Sequence, residues 1–305
     1  MITHHDWATA AFDLAPVAPR VGPFPGRDWL QTWWSQCGSG ELMLADTGDG
    51  LVTLTLTDNL LEFAGEADLT DYHSPLGPGA ATALAGLAAE LPSAVDIRLD
   101  SLPHEAAVVV GVALESVGLA TTTTEHTVAA VLSLPDSFDD YLAQIGKKER
   151  HELRRKRRRF DNELGTATLV RQSGPEAVAT FADLHRRSSG DKGEFMTANK
   201  EQFFLALHNE AGGVIDFLLD GSGQPASAVF SFEDDAGFYL YNSAFEPDVR
   251  HLSPGNVVLS HLIERSISER RGVFDFLKGD ETYKFRLGAV PRPLFIVSAT
   301  TGAER

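Results

Sequence analysis

Ala226-Ser227-Ala228-Val229-Phe230-Ser231-Phe232, then Asp234-Asp235-Ala236-Gly237, then Phe238-Tyr239-Leu240-Tyr241-Asn242-Ser243-Ala244: two runs rich in apolar and aromatic residues flank an acidic turn that ends in glycine, the pattern of a β-hairpin. A third run, Val214–Leu219, precedes them across Asp220-Gly221-Ser222-Gly223. Strands joined by connections this short pair antiparallel. An all-parallel doubly wound sheet is therefore excluded, and a mixed α/β (α+β) sheet flanked by helices is expected.

Downstream, a loop ending Ser253-Pro254-Gly255-Asn256 opens a helix over 257–271. A strand over 273–277, a polar turn or helix near 280–287 and a last strand over 294–299 follow. Upstream, Gly165 ends a basic helix over 147–164, which a strand (166–171) and helices over 175–188 and 200–211 separate from the hairpin. Ser133-Leu134-Pro135-Asp136-Ser137 reads as a boundary, with Ser137 and Asp140 forming a capping box before the segment 138–145. Two parts result, 1–135 and 136–305. The first repeats the order of the second: three strands (41–45, 51–57, 60–64), a loop with His73-Ser74-Pro75-Leu76-Gly77-Pro78-Gly79, a helix (80–91), a strand (95–100), a helix (104–117) and a β-rich run (126–134). Its first 35 residues are rich in Pro and Trp, with a short helix over 28–35.

A chain of 305 residues, 43% hydrophobic and 23% charged, fits two ordinary globular domains. No apolar run is long enough to span a membrane, Met1–Trp7 lacks the pattern of a signal peptide, and Cys37 is alone; a reducing cytoplasm is expected. The formal net charge is −17, yet Lys147–Arg159 holds nine of the 26 Lys and Arg against Glu149 and Glu152. The rest of the chain carries seventeen basic and forty-one acidic side chains. The helix is either a solvated face or a seat for an anionic ligand such as a CoA phosphate, a tRNA acceptor stem or an acidic lipid head group, with Arg154 and Arg158 among its contacts. The helix start at Ser253, Pro254, Gly255 and Asn256 presents backbone N–H groups at a positive dipole end, and Gly255 lets a diphosphate approach. An ordinary capped start with Pro next fits the same residues. Asp275 alternates with Phe274 and Phe276, so it faces either a site or solvent. Lys284 is a phosphate ligand or a surface charge. Asp71, Tyr72 and His73 suit an acceptor pocket between the halves, or belong to an ordinary loop. No His-Glu-x-x-His, P-loop or Gly-x-Gly-x-x-Gly occurs, no metal site is expected, and His4 and His5 sit at the terminus.

The basic helix, Tyr239-Leu240-Tyr241-Asn242-Ser243-Ala244, Ser253-Pro254-Gly255 and Phe274–Lys284 together resemble the GNAT acyltransferases, in particular the FemABX-like double-GNAT group and its cellulose-biosynthesis relatives. The resemblance covers residues 136–305, and the duplicated order extends it to the first part, implying two tandem GNAT-like domains. It implies an N-acyltransferase with acetyl-CoA or another acyl-CoA as co-substrate and a small-molecule or peptide amine as acceptor. Tyr283 would be the general acid, Asp275 its catalytic partner, and Tyr241 and Asn242 acceptor contacts. Two alternatives stay open: a Fem-type transferase fed by aminoacyl-tRNA, and a non-catalytic acyl-CoA- or RNA-binding module of the same fold.

Overall fold

A computed structural model describes residues 2–4, 7–188 and 191–302. The chain divides into two compact units, Met1–Ala129 with Arg292–Arg305, and Ala130–Pro291. In both, a mixed sheet is flanked by helices.

The first unit contains β1 (Ile2–His4), α1 (Arg27–Cys37), β2 (Glu41–Asp46), β3 (Leu51–Thr57), β4 (Leu60–Phe63), α2 (Ala80–Glu90), β5 (Asp96–Pro103) and α3 (His104–Ser116). His5 lies outside the described residues. β6 (Thr122–Ser133) carries the chain into the second unit. There follow α4 (Phe138–Gln144), α5 (Lys147–Leu164), β7 (Thr168–Gln172), α6 (Pro175–Arg186), α7 (Asp191–Phe195) and α8 (Ala198–Glu210). Then come β8 (Val214–Leu219), β9 (Pro225–Glu233), β10 (Gly237–Phe245), α9 (Pro254–Ser268), β11 (Val273–Lys278) and α10 (Thr282–Arg286). The last strand, β12 (Val290–Thr300), corrects the sequence reading, which gives it to the second part. It pairs antiparallel with β5, Val297 opposite Leu99 and Ala299 opposite Ile97, and completes the first unit's sheet.

The second unit's sheet follows from its sequence. β8, β9 and β10 form an antiparallel meander, β7 flanks β8, and β11 joins β10 in parallel. β9 is buried along nearly its whole length, as a strand covered on both faces must be. One face packs on α9: Phe238, Leu240 and Phe274 share a core with Val258, Leu262 and Ile263. The other face carries rings, with Phe230 and Tyr241 against Phe204 of α8 and Phe232 against Tyr241. α5 lies along α9 and buries Leu153 and Phe160, two residues of the narrow stripe expected of it. Gly165 closes it at φ +82°. The Ser137 cap of α4 is present: its Oγ accepts from the Asp140 N–H at 3.1 Å and donates to Asp140 Oδ2 at 2.6 Å, so the carboxylate takes the hydroxyl proton where a capping box would take the Ser137 backbone N–H.

The same pairing recurs in the first unit: β2, β3 and β4 are antiparallel, and β4 pairs in parallel with β5 after the crossover through α2. The duplication visible in the order of elements is thus a duplication of strand pairing.

Candidate functional site

In the second unit β10 and β11 run side by side for three pairs, ending at Tyr239 opposite Asp275, and then part. β10 is bulged between Leu240 and Asn242. A bulge inserts one residue and re-aims the side chains after it. Here it turns both Tyr241 and Asn242 toward α6 and α8: Tyr241 joins the ring cluster, and Asn242 Oδ1 meets His185 Nε2 at 2.9 Å. β11 bends too. Leu277 has φ +59°, and its N–H donates to Asp275 Oδ1 at 2.8 Å.

At the carboxyl ends of these two strands lies a cavity of about 980 Å³. Its walls are the first half of α5 (Lys147 to Arg154, and Lys156), Asn256 in the first turn of α9, and Tyr283, Arg286 and Leu287 at α10. Six cations, Lys147, Lys148, Arg150, Arg154, Lys156 and Arg286, face it with His151, against Glu149 and Glu152. Glu152 is forked by Arg155 at 2.8 and 2.7 Å, and that contact holds its carboxyl below the usual range. The cavity is therefore a strongly cationic concavity on a chain of net negative charge.

α9 opens onto it. Ser253 is left-handed (φ 58°, ψ 47°), and its carbonyl accepts from the N–H groups of Asn256 (2.9 Å) and Val257 (3.2 Å). Pro254 has no N–H, so Gly255 supplies the N–H of this start that makes no hydrogen bond among the described residues. A Cβ on Gly255 would find only Phe245 Cδ1, at 3.8 Å. Tyr283 stands edge-on to Phe276, ring centroids 6.3 Å apart. Burial, with Glu281 nearby, pushes its hydroxyl up to about 12. It keeps its proton at neutral pH and can give it to a departing anion.

Of the residues singled out in the sequence, Arg154, Asn256 and Tyr283 meet on this cavity, with Ser253, Pro254 and Gly255 just before Asn256. Arg158 is exposed and stands off the wall. Three placements differ from expectation. Lys284 is neither a phosphate ligand nor a surface charge: it is buried, and its ammonium donates to the carbonyls of Lys278 (2.5 Å) and Gly279 (3.3 Å) and pairs with Glu281 (2.9 Å). Asp275 is wholly buried off the cavity wall, where it secures the bend of β11. Tyr72 and His73 are buried within the first unit. His73 Nδ1 lies 3.1 Å from Asp100 Oδ1, and its ring stacks on Phe63 at 5.0 Å. Asp71, the third of that group, is half-buried.

Arg286 and Lys156 went unmarked in the sequence. Arg286 lies three residues past Tyr283, the spacing that sets two side chains on one helical face. That was the available signal. Among the described residues no group of three His, Cys, Asp or Glu could hold a metal ion, and no helix is long and apolar enough to cross a membrane.

Residues 147–285, which hold most of the cavity wall, both diverging strands and α9, match the acetyltransferase (GNAT) domain. No curated protein sequence matches the chain. Among solved structures, a conserved protein of unknown function from Bacteroides thetaiotaomicron aligns over 99% of this chain and 100% of its own, at 12% identity and TM-score 0.68. FemX aligns over 97% of each chain at 12% identity and TM-score 0.63. L-PGS from Bacillus licheniformis aligns over 91% of this chain and 93% of its own, at 11% identity and TM-score 0.60. At such identities the likeness to these structures is one of fold; the domain match adds the chemistry of an acyltransferase to residues 147–285.

Proposed function

We propose that the protein transfers an acyl group from acyl-CoA to an amine by direct attack, in the cytoplasm. The observation that carries this reading is the cationic cavity set at the open start of α9, with Tyr283 on its wall. The phosphates of the donor would lie against Lys148, Arg154 and Arg286, with the Gly255 N–H beneath them. The thioester would enter where β10 and β11 part, and a neutral amine, from a small molecule or a peptide, would attack its carbonyl. Tyr283 would protonate the leaving sulfur. Asp275 would act through the backbone of β11, and Tyr241 and Asn242, on the α6 and α8 face, would border the acceptor.

A second reading, an aminoacyl-tRNA donor, draws on one observation. Lys147, His151, Arg154 and Arg158 follow one another at helical spacing along about 16 Å of α5. Salt separates the two. A polynucleotide engaging six or more phosphates loses roughly 10³- to 10⁵-fold in affinity between about 50 and 200 mM salt. A CoA thioester has few phosphates, and its slope stays shallow. Donor affinity measured at three salt concentrations, for wild type, Arg154→Ala and Arg158→Ala, should show a shallow slope and a larger loss for Arg154→Ala. Tight tRNA binding with a steep slope, and no binding of CoA thioesters, would replace the first reading by the second.

A further inference from the structure

Among the lysines whose surroundings are described, Lys156 stands apart. Lys147 and Lys148 are exposed at the start of α5. Lys284 is tied to backbone carbonyls, and Lys200 lies over the ring of Phe195. Lys156 is half-buried on the cavity wall. The carboxylate closest to it in charge, Glu152, is already forked by Arg155, while Arg155 and Arg286 repel its proton. Burial pushes the ammonium below its usual value; Glu152 opposes the shift, and these two guanidiniums add to it. Guanidinium groups do not deprotonate, so Lys156 is the cavity cation best placed to present a neutral amine. Lys156 lines the same cavity as Tyr283, the group that would protonate a leaving sulfur.

We propose that Lys156 is itself an acyl acceptor, a self-acylation site modified from an acyl thioester when no other amine is bound; this rests on the donor reading above. The neutral Nζ attacks the thioester carbonyl carbon, the C–N bond forms as the C–S bond breaks, and the thiolate takes a proton from Tyr283. The lysine nitrogen gives up a proton to restore the tyrosine, so the products are an amide and a free thiol. The amide carries no charge, and the cavity loses one cation. Self-acylation therefore weakens the next round of donor binding and makes the enzyme self-limiting when acceptor is scarce.

The test has two arms. In the first, purified protein is incubated with acetyl-CoA and no acceptor, and acetylated lysines are mapped by mass spectrometry. One acetyl group on Lys156 is expected, with none after K156R. K156Q, which removes the charge as acylation does, should bind a non-transferable CoA thioether roughly threefold more weakly than wild type. In the second arm, limiting acetic anhydride near neutral pH labels lysines without any need for a donor site. Lys156 should then carry more label than any other lysine. Preferred labelling of Lys156 by anhydride, with no thioether binding, upholds the reactive lysine and removes the donor reading. Thioether binding, with acetyl groups on Lys147 and Lys148 or on no lysine, overturns the proposal and leaves the donor reading intact.

Discussion

The two units share a pairing scheme and differ in what fills it. In the first, β4 and β5 part after Leu61 opposite Ile97, and His73 closes the gap. Its backbone N–H donates to Ser101 O at 3.0 Å, its ring reaches Asp100, and Phe63 of β4 stacks on it. The start of α2 is sealed as well. The Gly79 N–H donates to Asp49 O at 2.9 Å, the Gly77 N–H donates to Ala15 O at 2.8 Å, and a Cβ at Gly79 would collide with the Asp49 carboxylate. In the second unit the corresponding strands part beside a cationic cavity, and the start of α9 stays open. One scheme has thus become packing in one copy and the frame of a cationic cavity in the other. A carboxylate at the first helix start repels the anions that cations at the second attract.

The sharpest way to break this contrast is at Tyr283. Tyr283→Phe removes only a hydroxyl and should lower turnover at saturating substrate by roughly 10²- to 10⁴-fold, with donor affinity nearly unchanged. Steady-state kinetics beside equilibrium binding read the two terms separately. A rise confined to the Michaelis constant would move Tyr283 from chemistry to binding.

Next in size is a stability effect in the second unit. Asp216 is fully buried; its burial opposes ionisation, but Arg265 (2.6 Å to each oxygen) and Arg171 (3.2 and 3.0 Å) hold the carboxyl below its usual range. A depressed carboxyl contributes stability above its unfolded value, near pH 3.9, and loses it as pH falls through the folded value. Asp216→Asn leaves two guanidiniums facing a neutral group and should cost about 3–5 kcal/mol by denaturant unfolding at neutral pH. The gap between variant and wild type should narrow as acid protonates Asp216. An equal gap at pH 2 and pH 7 would show that the carboxylate's charge is not the source.

A matched pair of glycine substitutions gives the smallest effects and the cleanest contrast. Gly79→Ala overpacks the sealed start of α2 and should destabilise the protein by about 1–3 kcal/mol, leaving donor affinity alone. Gly255→Glu has room for its Cβ and should leave thermal stability near wild type while lowering donor affinity at least tenfold, about 1.4 kcal/mol. Exchanged phenotypes would reverse the roles given to the two units.

What was legible in the sequence was whatever local pattern decides. The hairpins, the N-cap at Ser137, the stop at Gly165 and the charge of α5 are each written within a few residues, and each is in the structure. The partner of β12 is not local: Val297 meets Leu99 across some two hundred residues, and nothing in 290–300 names that strand. Burial of polar side chains was also hidden. His73 and Lys284 carry residue types that usually mark a surface or a site, and only tertiary placement shows one stacked on Phe63 and the other capping carbonyls. The bulge that turns Tyr241 and Asn242 to one face breaks strand alternation, so the alternating pattern could not reveal it.

The central claim is that each chain holds one acyl donor, in the second unit alone. Titration calorimetry with a non-transferable acetyl-CoA thioether tests it most directly, on wild type, Arg286→Ala and Asp49→Ala. The account predicts one site per chain in all three, weakened about tenfold or more by Arg286→Ala and unmoved by Asp49→Ala. Two sites per chain, or a loss of binding on changing Asp49 with none on changing Arg286, would contradict it.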